Sequence, residues 1–327
     1  MVRNTSWSVR LLINYGADLN IQDERGHAPL FLCSREDLEI ARLLIDYGAD
    51  VNLCDNDGFT PLYISCIHKQ LEVAKLLIDK GANVNQSNNN GWTPLFLTCS
   101  NNHIEFITLL IDNGADVNKC NDEKKTPLYT ACSNGHTEIV KILIDNDADV
   151  NIQDNLGWAP LHSACNNGYM WIVRSLIDYG TDVNLCDNGG WAPIYIACMN
   201  GFLEIVKLLI DAGADINIST NNGNSPLHCA CDFDYPEMVR LLVDNGADIL
   251  KLDSDGKTPL FLSSQKICMN SYSFLQEAVK SWSSSRHHLA PRKKRMQIKT
   301  IFTLSIRKNN LFNLLPKDML HVIGIFI

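Results

Sequence analysis

Apolar and polar stretches recur along this chain with a period of 33 residues. One period, residues 91–118, reads GWTPLFLTCSNNHIEFITLLIDNGADVN. Its first apolar run begins at Pro94, a residue suited to the first position of a helix, and Thr93 can cap that helix. A polar Asn-Asn-His break separates this run from a second one with helical spacing, which Gly114 can end in a left-handed conformation. Each period therefore predicts two short helices joined by tight turns.

Two independent columns of residues keep this period. The prolines that open the first helices are Pro29, Pro61, Pro94, Pro127, Pro160, Pro193, Pro226 and Pro259, spaced 32 and then six times 33 residues apart. The glycines that close the second helices are Gly16, Gly48, Gly81, Gly114, Gly180, Gly213 and Gly246, and Asp147 stands where one more is due. Each helix pair has an apolar face too wide to bury alone, so neighbouring pairs must stack. The sequence is therefore an internal repeat.

The repeated motifs TPLF…C…H-IEF…LLI-NGADVN and GFLEIVKLLIDAGADIN (201–217) resemble ankyrin repeats, whose signature is T-P-L-H-x-A with this period. The resemblance covers residues 1 to about 280. It departs from the signature in that its histidine survives only as His162 and His228. The resemblance implies an all-α, right-handed solenoid of helix-turn-helix units with short β-turn or hairpin connections, followed by a small helical C-terminal segment.

Four segments follow from this reading. They are a partial repeat over residues 1–22, eight repeats over 23–282, a basic Ser-rich linker over 283–296 and a short helical tail over 297–327. The partial repeat supplies a second helix and its cap without a first helix, so we expect Leu11, Leu12 and Ile13 to be poorly covered.

Charge is unevenly divided between these segments. Residues 281–327 hold nine of the 28 Lys and Arg and one of the 37 Asp and Glu, a net charge of 9 − 1 = +8. Residues 1–280 therefore carry 19 − 36 = −17, which argues against a nucleic-acid partner. The N-terminus lacks the apolar core of a signal peptide, and no apolar run approaches the ~18–20 residues that span a bilayer. We expect a monomer in the cytoplasm or nucleus, away from membranes.

Nine of the 12 cysteines fall on two repeat columns. One column holds Cys66, Cys99, Cys132, Cys165, Cys198 and Cys231. Stacked helices lie about 8–10 Å apart, beyond the ~7 Å Cα limit for a disulfide, so these residues are predicted to be small buried hydrophobes. The chain has no CxxC pair for zinc, no HExxH or GxSxG, and its GKT at 256–258 lacks the first glycine of a phosphate loop. We expect no metal, no cofactor and no enzymatic activity.

One variable column lies in the turn before each first helix. It reads His27, Phe59, Trp92, Lys125, Trp158, Trp191, Asn224 and Lys257. In ankyrin-repeat proteins the turn tips and the exposed side of the first helices form the concave, partner-binding surface. By this resemblance the protein-binding residues are Phe59, Ile67, Trp92, Lys125, Trp158, Trp191 and Met199. The alternative is that each ring folds back over its own turn and only covers backbone.

A second contact is predicted at Trp171, which replaces a glutamate found in most other second helices. Local packing against Tyr169 is the alternative for this side chain.

The C-terminal segments carry two further candidates. Arg292, Lys293, Lys294 and Arg295 resemble a nuclear localisation signal, with a solvated linker as the alternative. Residues 298–327 resemble SOCS-box or F-box segments, which dock on adaptors of cullin-type ubiquitin ligases; the docking residues would be Ile298, Ile301, Leu315 and Pro316. A helical cap on the last repeats is the alternative. Two functions therefore stay open: a protein-binding scaffold or adaptor, and the substrate-recognition subunit of a cullin-type ubiquitin ligase.

Overall fold

The structure is a computed structural model that describes residues 3–34, 37–265, 271 and 273–277. Within these residues the chain forms sixteen α-helices with defined bounds, residues 271 and 273–277 are also helical, and there is no strand. Residue contacts divide the chain into two compact units, unit 1 over residues 1–181 and unit 2 over residues 182–327.

Each unit is a stack of helix pairs. In unit 1, α1 (Arg3–Asn14) precedes α2 (Pro29–Cys33) with α3 (Leu38–Asp46), α4 (Pro61–Ile67) with α5 (Leu71–Asp79), α6 (Pro94–Ser100) with α7 (Ile104–Asp112), α8 (Pro127–Asn134) with α9 (Thr137–Asp145), and α10 (Pro160–Asn167) with α11 (Met170–Asp178). In unit 2, α12 (Pro193–Met199) pairs with α13 (Leu203–Asp211) and α14 (Pro226–Asp232) with α15 (Pro236–Asp244), before α16 (Pro259–Gln265). Within each unit, first helices pack on neighbouring first helices and second helices on neighbouring second helices.

Local chemistry sets the helix ends. Every first helix begins at its proline, as predicted, and the Thr93 hydroxyl accepts a hydrogen bond from the Phe96 backbone N–H at 3.1 Å. At the Ala159 cap, which has no side-chain oxygen, the Ala159 N–H donates a hydrogen bond to Nδ1 of His162 at 3.0 Å. The second helices close with a left-handed residue, and Asp147 adopts this conformation with φ +65°.

The cysteine column lies in the core. All six of its thiols are buried, and burial raises the pKa of the Cys66 thiol to about 12. All eleven cysteines of the described residues are free thiols, so the prediction of buried, unpaired side chains in this column is confirmed. Thiols buried in this way are protonated at neutral pH and unreactive.

Asparagine side chains join consecutive repeats, a feature that the sequence analysis missed. Oδ1 of Asn85 accepts a hydrogen bond from the Asp116 backbone N–H at 2.8 Å, and its Nδ2 donates to the Gly114 carbonyl at 2.9 Å. The same two bonds are made by Asn52, Asn118, Asn184 and Asn217. One amide therefore holds the closing loop of the next repeat at two points.

In the part of the chain that the structure describes, no first helix pairs with α1, which contacts α3. Its apolar side chains are poorly covered, with Trp7 63%, Leu11 39% and Leu12 60% exposed. Ile13 is half-buried. The structure thus confirms the predicted lack of cover for Leu11 and Leu12 and shows partial cover for Ile13.

Candidate protein-binding surface

We call the residue two positions before each first-helix proline the tip residue, and its turn the tip. Trp92 shows how a tip is built. Oδ1 of Asn88 accepts hydrogen bonds from the backbone N–H groups of Asn90 at 3.0 Å and Trp92 at 2.9 Å, and the Asn88 N–H donates to the Trp92 carbonyl at 3.0 Å. Glycine suits position 91 because its φ is +76°, and a Cβ placed on this backbone would lie 2.7 Å from the Asp122 backbone nitrogen. The Trp92 backbone is thus fixed from both sides.

Hydrogen bonds also join each tip to the next. In each case a backbone N–H of one tip donates to a backbone carbonyl of the preceding tip. The donor and acceptor residues in unit 1 are Asn56 and Arg25 at 3.0 Å, Asn89 and Asp57 at 3.0 Å, Asp122 and Asn90 at 3.2 Å, and Asn155 and Glu123 at 3.0 Å. Unit 2 has two such bonds, from Asn221 to Gly189 at 2.9 Å and from Ser254 to Asn222 at 2.9 Å. The tip residues Phe59, Trp92, Lys125 and Trp158 of unit 1 therefore lie on consecutive, connected tips. Trp191 is a tip residue of unit 2.

Each of the four large aromatic tip residues packs, with its ring tilted, against the ring four residues later in its own first helix. The ring centroids are 4.9 Å apart for Phe59 and Tyr63, 5.3 Å for Trp92 and Phe96, 6.1 Å for Trp158 and His162, and 5.5 Å for Trp191 and Tyr195. Lys125 follows the same geometry, with its Nζ 5.6 Å from the Tyr129 ring centroid and 2.6 Å from a Glu123 carboxylate oxygen. The inner rings form a platform that orients the tip residues.

The tip residues nevertheless keep part of their surface open. Trp92 is 38% exposed, and Phe59, Trp158 and Trp191 are half-buried. The rings thus contact their own repeats, as the packing alternative expects, and also present surface to solvent. A half-open ring that is already packed on one side can bind a partner without first losing rotamer freedom.

The other predicted contact residues lie at helix ends and on an outer helix. Ile67, at the end of α4, is 39% exposed and lines the same pocket as Phe59. Met199, at the end of α12 in unit 2, is half-buried. Trp171 is 72% exposed on α11, a second helix, so it does not belong to the tip surface.

Two candidates lie outside the described residues. They are the basic cluster Arg292, Lys293, Lys294 and Arg295 and the ligase-docking set Ile298, Ile301, Leu315 and Pro316. In the described part of the chain, no group of three or more His, Cys, Asp or Glu side chains is arranged to hold a metal ion. Over the same residues, no helix has the length and apolar character needed to cross a membrane.

Stacked helix pairs with connected tips define an α-helical repeat protein. Family models of ankyrin repeats match residues 1–88, 81–154 and 146–220, each as a set of three copies, and a model of many copies matches residues 209–262. These matches cover most of the chain, which therefore belongs to the ankyrin-repeat family. The predicted family and all-α fold class are confirmed. No curated protein matches the chain. Ankyrin repeats are general protein–protein interaction modules and are typically non-enzymatic scaffolds.

Proposed function

We propose that this chain is a scaffold or adaptor that binds a partner protein through its tip surface, formed by the tip residues and the exposed side of the first helices. The observation that carries the proposal is the set of half-open aromatic tip residues on rigid, hydrogen-bonded tips. Interfaces place their largest energies on such aromatic side chains, and a fixed backbone lowers the entropy lost on binding.

The contrast between two columns of the repeat supports the same proposal. The asparagine that joins repeats is unchanged at Asn52, Asn85 and Asn118, because the fold needs its amide. The tip residues share one backbone geometry but change from Trp92 to Lys125. A side chain that varies where the backbone does not is expected where a partner, rather than the fold, selects the residue.

Site-specific photo-crosslinking tests this proposal before the partner is identified. A benzophenone amino acid at position 92 samples the tip surface, and the same residue at position 108 samples an exposed site on α7 of the same repeat. We expect position 92 to capture a defined protein from cell extract, with unlabelled wild-type chain competing for it, and position 108 to capture none of it. Equal capture from both positions, or capture that the wild-type chain does not reduce, would contradict the proposal.

A further inference from the structure

One pocket opens on the tip surface of unit 1, between the first two complete helix pairs. Its volume is about 660 Å³, and Phe59 and Ile67 form part of its apolar wall. Acidic side chains of two neighbouring tips, Glu24 and Asp57, line the same pocket. A space of this size takes one long side chain together with the residues beside it.

The carboxylates of this pocket differ in what they already bind. Asp55 is buried and serves its own tip, since its Oδ1 accepts from the N–H groups of Asp57 at 3.0 Å and Phe59 at 2.8 Å. Its Oδ2 lies 3.8 Å from Nε2 of His27. Glu24 and Asp57 are exposed, and neither forms an ion pair within 4.0 Å in the described residues. Two carboxylates are therefore available to a ligand.

The excess of negative charge in the pocket lining favours a cationic ligand. The pocket lining holds three carboxylates, of Glu24, Asp55 and Asp57, against one guanidinium, of Arg25, together with the imidazoles of His27 and His68. The chain around it is also acidic, with 36 acidic against 19 basic side chains over residues 1–280. An anionic partner group would meet like charge here, whereas a cation is attracted both at long range and in contact.

We propose that this pocket binds a lysine or arginine side chain of the partner protein. The aliphatic stem of that side chain packs on Phe59 and Ile67, and its charged end reaches Glu24 and Asp57. Lysine and arginine suit both halves of the pocket because they combine an apolar stem with a cationic end. This inference rests on the proposed function and names the chemistry that the partner must present.

Selection from a random dodecapeptide library displayed on phage tests the inference, with the full chain as bait. The pocket variant is Glu24→Gln/Asp57→Asn, which keeps the tip carbonyls that accept the inter-tip bonds. The matched control, Glu105→Gln/Glu138→Gln, makes the same charge change on the exposed faces of α7 and α9. Unfolding midpoints of all three proteins verify that they are equally folded.

We expect selection on the wild-type chain to enrich peptides with a lysine or arginine beside an apolar residue. Their affinity should fall about tenfold, or ~1.4 kcal/mol, for the pocket variant and stay unchanged for the control. Selected peptides without a basic residue, or equal affinity for the pocket variant and the wild-type chain, would overturn the inference. If the inference is overturned but the selected peptides bind Trp92→Ala more weakly than the wild-type chain, the proposed function stands. If the affinity of no selected peptide depends on a tip residue, the inference and the proposed function both fail.

Discussion

Replacing Asp147 by glycine should stabilise the repeat array. Asp147 closes α9 with φ +65°, at the position where α3, α5 and α7 are followed by Gly48, Gly81 and Gly114 with φ +99°, +91° and +85°. Its backbone makes the expected closing bonds, from its own N–H to the Ile144 carbonyl at 3.1 Å and from the Ala148 N–H to the Leu143 carbonyl at 3.0 Å. The aspartate thus adopts the glycine conformation and bears its torsional cost.

The size of the effect follows from three terms. A Cβ built at Gly81 or Gly114 meets no atom within 4 Å, so the cost at this position is backbone torsion and not a clash. The left-handed conformation costs a non-glycine residue about 1–2 kcal/mol of conformational energy, and aspartate less. Replacing Asp147 by glycine removes this cost, but the greater backbone entropy of glycine in the unfolded chain offsets part of the gain in stability. Removing a negative charge beside a helix C-terminus adds about 0.3–1 kcal/mol in the same direction. The net gain should be roughly 0.5–1 kcal/mol.

Urea denaturation of the wild-type chain and three variants measures these terms. Asp147→Gly should raise the midpoint at an unchanged slope. Asp147→Asn should recover only the charge term, because asparagine keeps the Cβ and tolerates the left-handed region, and Asp147→Ala should be less stable than either. A midpoint for Asp147→Gly equal to or below that of the wild-type chain would show that torsional strain at residue 147 does not limit stability.

Three further expectations concern other parts of the chain. Asn85→Ala removes the two hydrogen bonds to the next repeat and should lower the unfolding free energy, measured in urea, by about 1–3 kcal/mol. The control Asn101→Ala changes an exposed residue and should cost less than about 0.5 kcal/mol. Equal losses would count against the inter-repeat role of Asn85. Burial lowers the pKa of His228 in the folded protein, so the unfolded chain takes up the proton more readily. The unfolding free energy should therefore decline as the pH falls from about 6.5 towards 5. A pH series of denaturation midpoints measures this decline, which His228→Phe should reduce. Deleting residues 297–327 should abolish recovery of cullin adaptors in a pull-down if the tail is a ligase-docking segment; recovery without the tail, or none from the full chain, would exclude that function.

Helix bounds could be predicted because they depend on local chemistry. Pro94 and Thr93 start α6 by residue type alone, and the 33-residue spacing marked Asp147 as a left-handed cap before its φ was known. The same reasoning applied to the tip glycines would have found Lys124, which has φ +60° where Gly91 and Gly157 stand in neighbouring repeats. Lys124 is therefore a strained tip position that the glycine spacing indicates.

Contacts between repeats were harder to predict. The asparagine of ADVN recurs as regularly as the cap glycine, but a polar residue in a turn is ordinarily expected to be solvated. The partners of Asn85, the Asp116 N–H and the Gly114 carbonyl, belong to the next repeat and become evident only in the folded structure. The pairing of Trp92 with Phe96 likewise depends on how the tip meets the first helix. A spacing of four residues brings side chains together within a helix, and Trp92 precedes α6. The sequence therefore offered binding and packing as alternatives, and in the structure the Trp92 ring packs on its own repeat while keeping part of its surface open.

Calorimetric titration of the captured partner against Trp92→Ala and Trp171→Ala tests most directly whether the tip surface binds. Trp92→Ala should weaken binding by about 2 kcal/mol or more, the range of an interface hot spot. It should also lower the unfolding free energy by about 0.5–1.5 kcal/mol, because the contact with the Phe96 ring is lost. Trp171→Ala removes an equally large but outward-facing ring and should leave the stability nearly unchanged. Any loss of affinity in Trp171→Ala reports the second contact predicted at that residue and not the tip surface. If Trp92→Ala lowers stability while the partner binds the folded variant as tightly as the wild-type chain, the tip rings serve the fold alone and the proposed binding surface is wrong.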